Sequence, residues 1–361
     1  MKWSFCGLCQ LRAFLASKEK EKYMKRILFS LLFVYALLAG WFLRGLEAIP
    51  DATTAYTPNT PINGGITPLS SQVENTHTKA SHWQEFAYGI PLDLTLSQLT
   101  AGLRPGRGAP IPDAADVHEL PVDDITFSNW RGELLSGWLS VMTPEAPVII
   151  LTHGTPGNRL SMVERAAFLH THGYNVLLFD FQSYGRSQGE FSTLGMVESE
   201  DILAAISYLH SLPQTRYSKI GVLGLSMGAT AAVLAASRSQ DIRALVAESC
   251  PVDATRVPGD VPSEQARLAD QELVEQVYGV DITQNRPLDV VNRLSGHTAL
   301  FFINGDADTI TPLPGMQSLY QTAGDPKQDW VVRGAGHAQS FSVDPHGYIQ
   351  RVDAFFDAYL H

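Results

Sequence analysis

Five runs constrain this chain more than anything else in it: "APVIILTHG" (146–154), "NVLLFDF" (175–181), "KIGVLGLS" (219–226), "ALVAES" (244–249) and "ALFFING" (299–305). Each is apolar at successive positions, with no polar face. Side chains alternate between the two faces of a strand, so such a run needs cover on both faces. Parallel strands sandwiched between helices meet that need. Helix-like stretches at 160–172, 196–211, 227–240 and 313–323, with 347–360 at the end, supply the cover. "QDWVVRGAGH" (328–337) predicts a shorter last strand. "DITFSNWRGELLSGWLSV" (124–141) predicts two strands joined by a turn near Asn129 to Gly132. The class is therefore α/β: a mainly parallel twisted sheet with helices on both faces, over residues 120–361.

Residues 250–296 interrupt this alternation, between the strands at 244–249 and 299–305. A helix over 263–278 would offer Leu268, Leu273, Val274 and Val277 as apolar contacts. In open α/β sheets ligands bind at the carboxyl ends of the strands. The segment is expected to form a lid there; the alternative is an ordinary crossover.

Ahead of the sheet, "ILFSLLFVYALLAGWFL" (27–43) is uncharged and almost wholly apolar. Lys2, Arg12, Lys18, Lys20, Lys22, Lys25 and Arg26 precede it, and only Arg44 follows closely. That asymmetry keeps residues 1–26 cytoplasmic and places the body outside. The run falls slightly short of a hydrocarbon core of about 30 Å, and no small-x-small cleavage site follows Leu43. It reads as a membrane anchor, or else as a cleaved signal that leaves a secreted or periplasmic protein. Met24 is an alternative start. Residues 44–119 read as linker and N-terminal extension, with Pro, Thr, Asn, Ser and Gly concentrated over 50–80.

Net charge is −11, without the basic face that a sequence-independent grip on nucleic acid needs. Cys6 and Cys9 have C-x-x-C spacing but no second pair, and Cys250 stands alone, so neither a zinc site nor a disulfide framework follows. No H-E-x-x-H, no carboxylate group with ligand spacing and no glycine-rich phosphate loop is present. No metal and no cofactor are expected.

Within "GVLGLSMGAT" (221–230), Ser226 sits in G-x-S-x-G, formed by Gly224, Leu225, Ser226, Met227 and Gly228. A strand precedes it and a helix follows. This is the pattern of a nucleophile elbow, in which small neighbours let strand and helix close around a strained serine. The hydroxyl then stands beside a helix N-terminus, which favours negative charge.

With that elbow, "LTHGTPGNR" (151–159), "FDFQSYGRSQG" (179–189), "NGDADTITP" (304–312) and "GAGH" (334–337), the chain resembles the α/β-hydrolase family of serine hydrolases over about residues 120–361. It looks closest to exported or membrane-anchored esterase- or peptidase-like members. It departs from them at Gln182–Ser183, where many members carry Arg-Gly. The resemblance implies His337 as the base, in the loop after the last strand. It implies Asp308 as the acid, from G-x-x-D at Gly305 and Asp308. Asp306 and Glu248 are competitors for that role. Met227 at the elbow offers one backbone N–H to a developing oxyanion. By resemblance Thr155 offers the other, since Pro156 has none. His153 is expected to brace these loops.

The expected function is a serine hydrolase that cleaves carboxylic ester or amide bonds through an acyl-enzyme. Its substrates would be small-molecule or lipid-like acyl compounds, or peptides. An aminopeptidase-like enzyme and a cofactor-free perhydrolase use the same triad. A non-catalytic binding protein on the same scaffold is the alternative of another class.

Overall fold

The computed structural model describes residues 107–114, 117, 120–212, 219–254, 275 and 279–361. The segments 1–26 and 27–43, most of 44–119 and all but residue 275 of the helix expected at 263–278 lie outside these residues. Among the described residues no helix is long and apolar enough to cross a membrane.

The apolar runs form the strands they predict: β1 (Asp123–Ser128), β2 (Leu134–Ser140), β3 (Val148–Thr152), β4 (Asn175–Phe179), β5 (Ile220–Leu225), β6 (Ile242–Glu248), β7 (Ala299–Gly305) and β8 (Lys327–Val332). They make one sheet in the order β1-β2-β4-β3-β5-β6-β7-β8. β2 pairs antiparallel with β1 and with β4, and every pairing from β4 to β8 is parallel. The helices longer than one turn, among the described residues, are α1 (Val163–Thr171), α2 (Glu198–Ser211), α3 (Met227–Ala236), α4 (Leu313–Thr322) and α5 (Pro345–Leu360).

Alternation sorts the strand residues into two cores. Ile150, Leu177, Val222, Leu245 and Phe302 pack with α2, α3 and α4. Ile149, Leu151, Leu178, Val246 and Ile303 pack with α1 and α5. This is why the strand sequences lack a polar face. α5 begins two residues before the expected helix because Asp344 caps it: its carboxylate accepts the Gly347 N–H at 2.8 Å, and Pro345 fits the first turn.

Chain order reverses around β3, which has β4 on one side and β5 on the other. A crevice opens outside the carboxyl ends at such a switch point. Thr152 at the end of β3 lies beside Gly224 near the end of β5, so the loops after these two strands must meet there.

The described parts of the flanking segments are structural. Asn158 donates to the carbonyls of Arg107 and Ala109, at 3.1 and 2.7 Å, and so straps residues 107–109 onto the loop after β3. In the 250–296 segment, Val291 and Leu294 are fully buried in the α2–α4 core. Its C-terminal part is thus core rather than lid.

Candidate active site

Ser226 occupies the one-residue turn between β5 and α3, with φ 55° and ψ −115°. That backbone region is costly for a residue with a side chain, and it persists only where the surroundings enforce it. The two glycines show how. A Cβ on Gly224 would stand 2.6 Å from the Gly228 carbonyl oxygen, and one on Gly228 would stand 2.4 Å from that of Thr152. Both obstructions are backbone, so neither can step aside. The Ser226 N–H donates to Glu248 O at 2.8 Å, which ties the elbow to the neighbouring strand.

His337 comes from the loop after β8. Its Nε2 lies 2.9 Å from Ser226 Oγ, and its Nδ1 lies 2.9 Å from Asp308 Oδ2. Asp308 lies just past β7 and is almost fully buried. Its carboxylate accepts from Ile310 N at 2.9 Å, Thr311 N at 2.8 Å and Thr311 Oγ1 at 2.7 Å, as well as from His337. Burial raises the cost of its charge. The donors from Thr311 and His337 outweigh that cost and hold the carboxyl below the usual aspartate value. Thr311 was not anticipated, although its place in "DADTITP" marks it as a local partner of Asp308.

The structure separates the three acids. Asp306 accepts the Gly334 N–H at 2.6 Å and braces the turn leading to His337. Glu248 points to the α1/α5 side, where it pairs with Arg165 at 3.0 Å and accepts from the Tyr348 hydroxyl at 2.8 Å. That cluster is buried and makes no bond to His337. Ser249, next along from Glu248, accepts the Ala338 N–H at 3.2 Å and so fixes the histidine loop from β6.

The loop after β3 lies against the elbow: a Cβ on Gly154 would stand 3.2 Å from Ser226 Cβ. Fully buried His153 braces it. The ring Nε2 accepts from Phe181 N at 3.2 Å, which leaves Nδ1–H to donate to Gly154 O at 2.9 Å. Burial lowers its pKa, so this ring is neutral and spent on the scaffold. Met227 is the first residue of α3, so its N–H has no partner within the helix. Thr155 and Met227 meet at one group, the buried Tyr184 hydroxyl. The Thr155 side chain is a neighbour of this hydroxyl, which lies 3.2 Å from Met227 Sδ and donates to Ser192 Oγ at 2.9 Å. Ser192 Oγ in turn donates to Glu198 Oε1 at 2.7 Å. Burial raises the Tyr184 pKa, which keeps the hydroxyl protonated.

At the Gln182–Ser183 departure, Ser183 takes φ 71°, a value that glycine adopts freely. Bonds hold it there: Ser183 Oγ donates to Phe191 O at 2.8 Å, and Gln182 N donates to Asp201 Oδ2 at 2.9 Å. The site lacks nothing on account of this change. Among the described residues, no group of three His, Cys, Asp or Glu side chains could hold a metal ion.

An alkoxide precursor, an imidazole and a buried carboxylate in series can move a proton from Ser226 to His337 while Asp308 stabilises the imidazolium.

The model of a family described as X-Pro dipeptidyl-peptidase (S15 family) matches residues 65–337. An uncharacterized protein of Mycobacterium tuberculosis is 29% identical over 253 residues, covering 68% of this chain and 83% of that protein. An uncharacterized protein of Bacillus subtilis is 26% identical over 218 residues, covering 58% of this chain and 70% of that protein. Among solved structures, an esterase of Pyrococcus furiosus superposes with a TM-score of 0.58 at 25% identity, covering 72% of this chain and 100% of that one. An α/β hydrolase from Penicillium shares the fold, with a TM-score of 0.56 at 19% identity, covering 67% and 99%.

Proposed function

The chain belongs to the X-Pro dipeptidyl-peptidase (S15) family of α/β-hydrolase serine hydrolases, and on that premise we propose that it cleaves carboxylic esters or amides through an acyl-enzyme on Ser226. The observation that carries the reading is the relay of 2.9 Å contacts from Ser226 Oγ through His337 to Asp308. Ser226 attacks the acyl carbon as His337 Nε2 takes its proton, and Asp308 holds the ring in the tautomer that accepts it. The backbone N–H groups of Met227 and Thr155 receive the developing oxyanion, each donor being worth about 3 kcal/mol. His337 returns the proton to the leaving group, and water then discharges the acyl group by the same route.

The family match supports aminoacyl or dipeptidyl amides as substrates, and the Pyrococcus furiosus esterase supports simple acyl esters. We place small acyl esters first, because that esterase is covered over 100% of its length. The catalytic domain is exported and tethered by residues 27–43. This rests on the cluster of basic residues before that apolar run.

The test is labelling of the full chain by a fluorophosphonate, with turnover on a panel of acyl esters and aminoacyl amides. Labelling lost in Ser226→Ala, with turnover on at least one substrate class, is the expected result. Undiminished labelling of Ser226→Ala would overturn the assignment. Absence of both labelling and turnover in the wild type would favour a binding protein on a hydrolase scaffold.

A further inference from the structure

Among the described residues β8 ends the sheet, so one side of its backbone has no neighbour among them. Its bonds to β7 show which groups face that open side. Leu300 N–H donates to Pro326 O at 3.0 Å, and Asp306 N–H donates to Val332 O at 3.2 Å. In a strand the N–H and C=O of one residue point the same way, and successive residues alternate. The even-numbered residues from 326 to 332 therefore face β7. Lys327, Asp329 and Val331 present their amides outward, and the Arg333 N–H, in the peptide whose Val332 carbonyl faces β7, points the same way.

Natural sheet edges are usually guarded by lysine, proline, a bulge or a covering element. Here the guard is weak. Lys327 Nζ is turned inward to cap α4, donating to Tyr320 O at 2.7 Å and Ala323 O at 2.6 Å. Asp329, Val331 and Arg333 are exposed, Val331 at 37%. Among the described residues neither Asp329 nor Arg333 forms an ion pair. A groove of about 300 Å³ beside the strand is lined by Gln328, Asp329, Arg351 and Tyr359, and Tyr359 is 40% exposed.

The pattern of these residues selects an occupant. An antiparallel copy of β8 with Val331 opposite its own twin sets Asp329 opposite Arg333, and Arg333 opposite Asp329. The Val331 pair can exchange both backbone hydrogen bonds, and each Arg333 N–H can donate to the Asp329 carbonyl opposite it. Opposite charges and β-branched residues facing one another are favourable cross-strand pairs. Other registers lose this match. Centring on Asp329 or on Arg333 faces like charges, and centring on Trp330 brings Lys327 opposite Arg333.

We propose that two copies of this chain associate through β8, antiparallel and centred on Val331, so that one sheet runs across both. The contact is the same patch on each copy, so it closes at two and leaves no free β8 edge, while β1 stays at the far end of each copy's sheet.

The test is sedimentation velocity of the full chain in a non-ionic detergent, with a thiol reductant present. The wild type sediments as two copies. Asp329→Arg and Arg333→Asp each weaken association at least about tenfold, because each sets like charges face to face. The double variant Asp329→Arg/Arg333→Asp restores the pair with its charges exchanged. Val331→Lys, which puts two ammonium groups on the axis and leaves both charged residues in place, also sediments as one copy. Far-UV circular dichroism confirms that each variant is folded. A one-copy wild type, as when the edge serves another protein's strand, overturns the proposal. So does a two-copy Val331→Lys, or a double variant that stays at one copy.

Discussion

Gly305 lies directly beneath Ala335: a Cβ at Gly305 would stand 2.0 Å from the Ala335 carbonyl oxygen. One residue ends β7, three positions before Asp308, and the other lies two positions before His337. Their contact sets the distance between the two members of the proposed relay. Gly305→Ala is therefore expected to push the histidine loop, and His337 with it, away while leaving the chemical identity of every reacting group unchanged. A displacement near 1 Å costs on the order of 100-fold in rate. The expected loss in kcat/KM is of that size, with reduced fluorophosphonate labelling of a folded protein. Wild-type kinetics in this variant would show that the loop is not held by this contact.

The three acids should separate by what they lose. Asp308→Asn leaves the geometry but favours the wrong histidine tautomer, at a cost of about 10,000-fold in kcat. Asp306→Asn keeps an acceptor for Gly334 N–H and should stay within about tenfold of wild type. Glu248→Gln leaves the buried Arg165 guanidinium without its counter-charge. It should lower unfolding stability by about 3–5 kcal/mol. Turnover of the molecules that remain folded should change far less. Urea unfolding read beside kcat separates these outcomes. A large kcat loss in Glu248→Gln at unchanged stability would move the acid to β6.

The order of strands and helices is legible in the sequence because burial on both faces leaves continuous apolar runs, as at Val148–Thr152 and Ala299–Gly305. Ser226 is legible from its elbow between a strand and a helix, whereas Asp308 and His337 are picked out by the resemblance, since Asp306 and Glu248 also lie at the carboxyl edge. What supports them is less visible. Tyr184, Ser249 and Arg165 act across 43, 89 and 83 positions of chain, on Met227, Ala338 and Glu248. No periodicity encodes partners so distant. The 250–296 segment reads as one insertion, yet Val291 and Leu294 belong to the core. Their spacing is short enough to pass for an exposed helical turn.

His153 predicts a pH dependence of stability. Its folded-state pKa is lowered from 6.5 by burial, and its ring bonds require the neutral form at Nε2. A group depressed in the folded state contributes stability above its unfolded pKa, and that stability is lost as pH falls toward the folded value. Stability should therefore fall as pH drops below about 6.5, where the unfolded chain takes up the proton first. His170, also lowered by burial, adds a dependence of the same sign. The informative quantity is thus the difference between wild type and His153→Gln. The variant should be less stable at pH 8 and should lose less on going to pH 5.5. Parallel urea midpoints for the two proteins across that range would show that His153 is not the titrating group.

Tyr184 offers the sharpest test of how the proposed oxyanion site is held. Its hydroxyl contacts Met227 Sδ, with the Thr155 side chain as a neighbour, and makes no hydrogen bond to the reacting serine, so it acts as a positioning residue. Tyr184→Phe keeps the ring, and with it the edge contact to His153 at 5.0 Å between centroids. It removes the donor to Ser192 Oγ and the polar neighbour of the Thr155 side chain. Leaving buried polar partners unpaired costs about 1–3 kcal/mol of stability. If the two N–H donors are aligned through this hydroxyl, the loss appears in the transition state rather than in substrate binding. Then kcat should fall about tenfold while KM stays within about twofold. A purely structural tyrosine would lower the urea midpoint and leave kcat of the folded enzyme unchanged. A rise in KM at constant kcat would instead place Tyr184 in the substrate pocket.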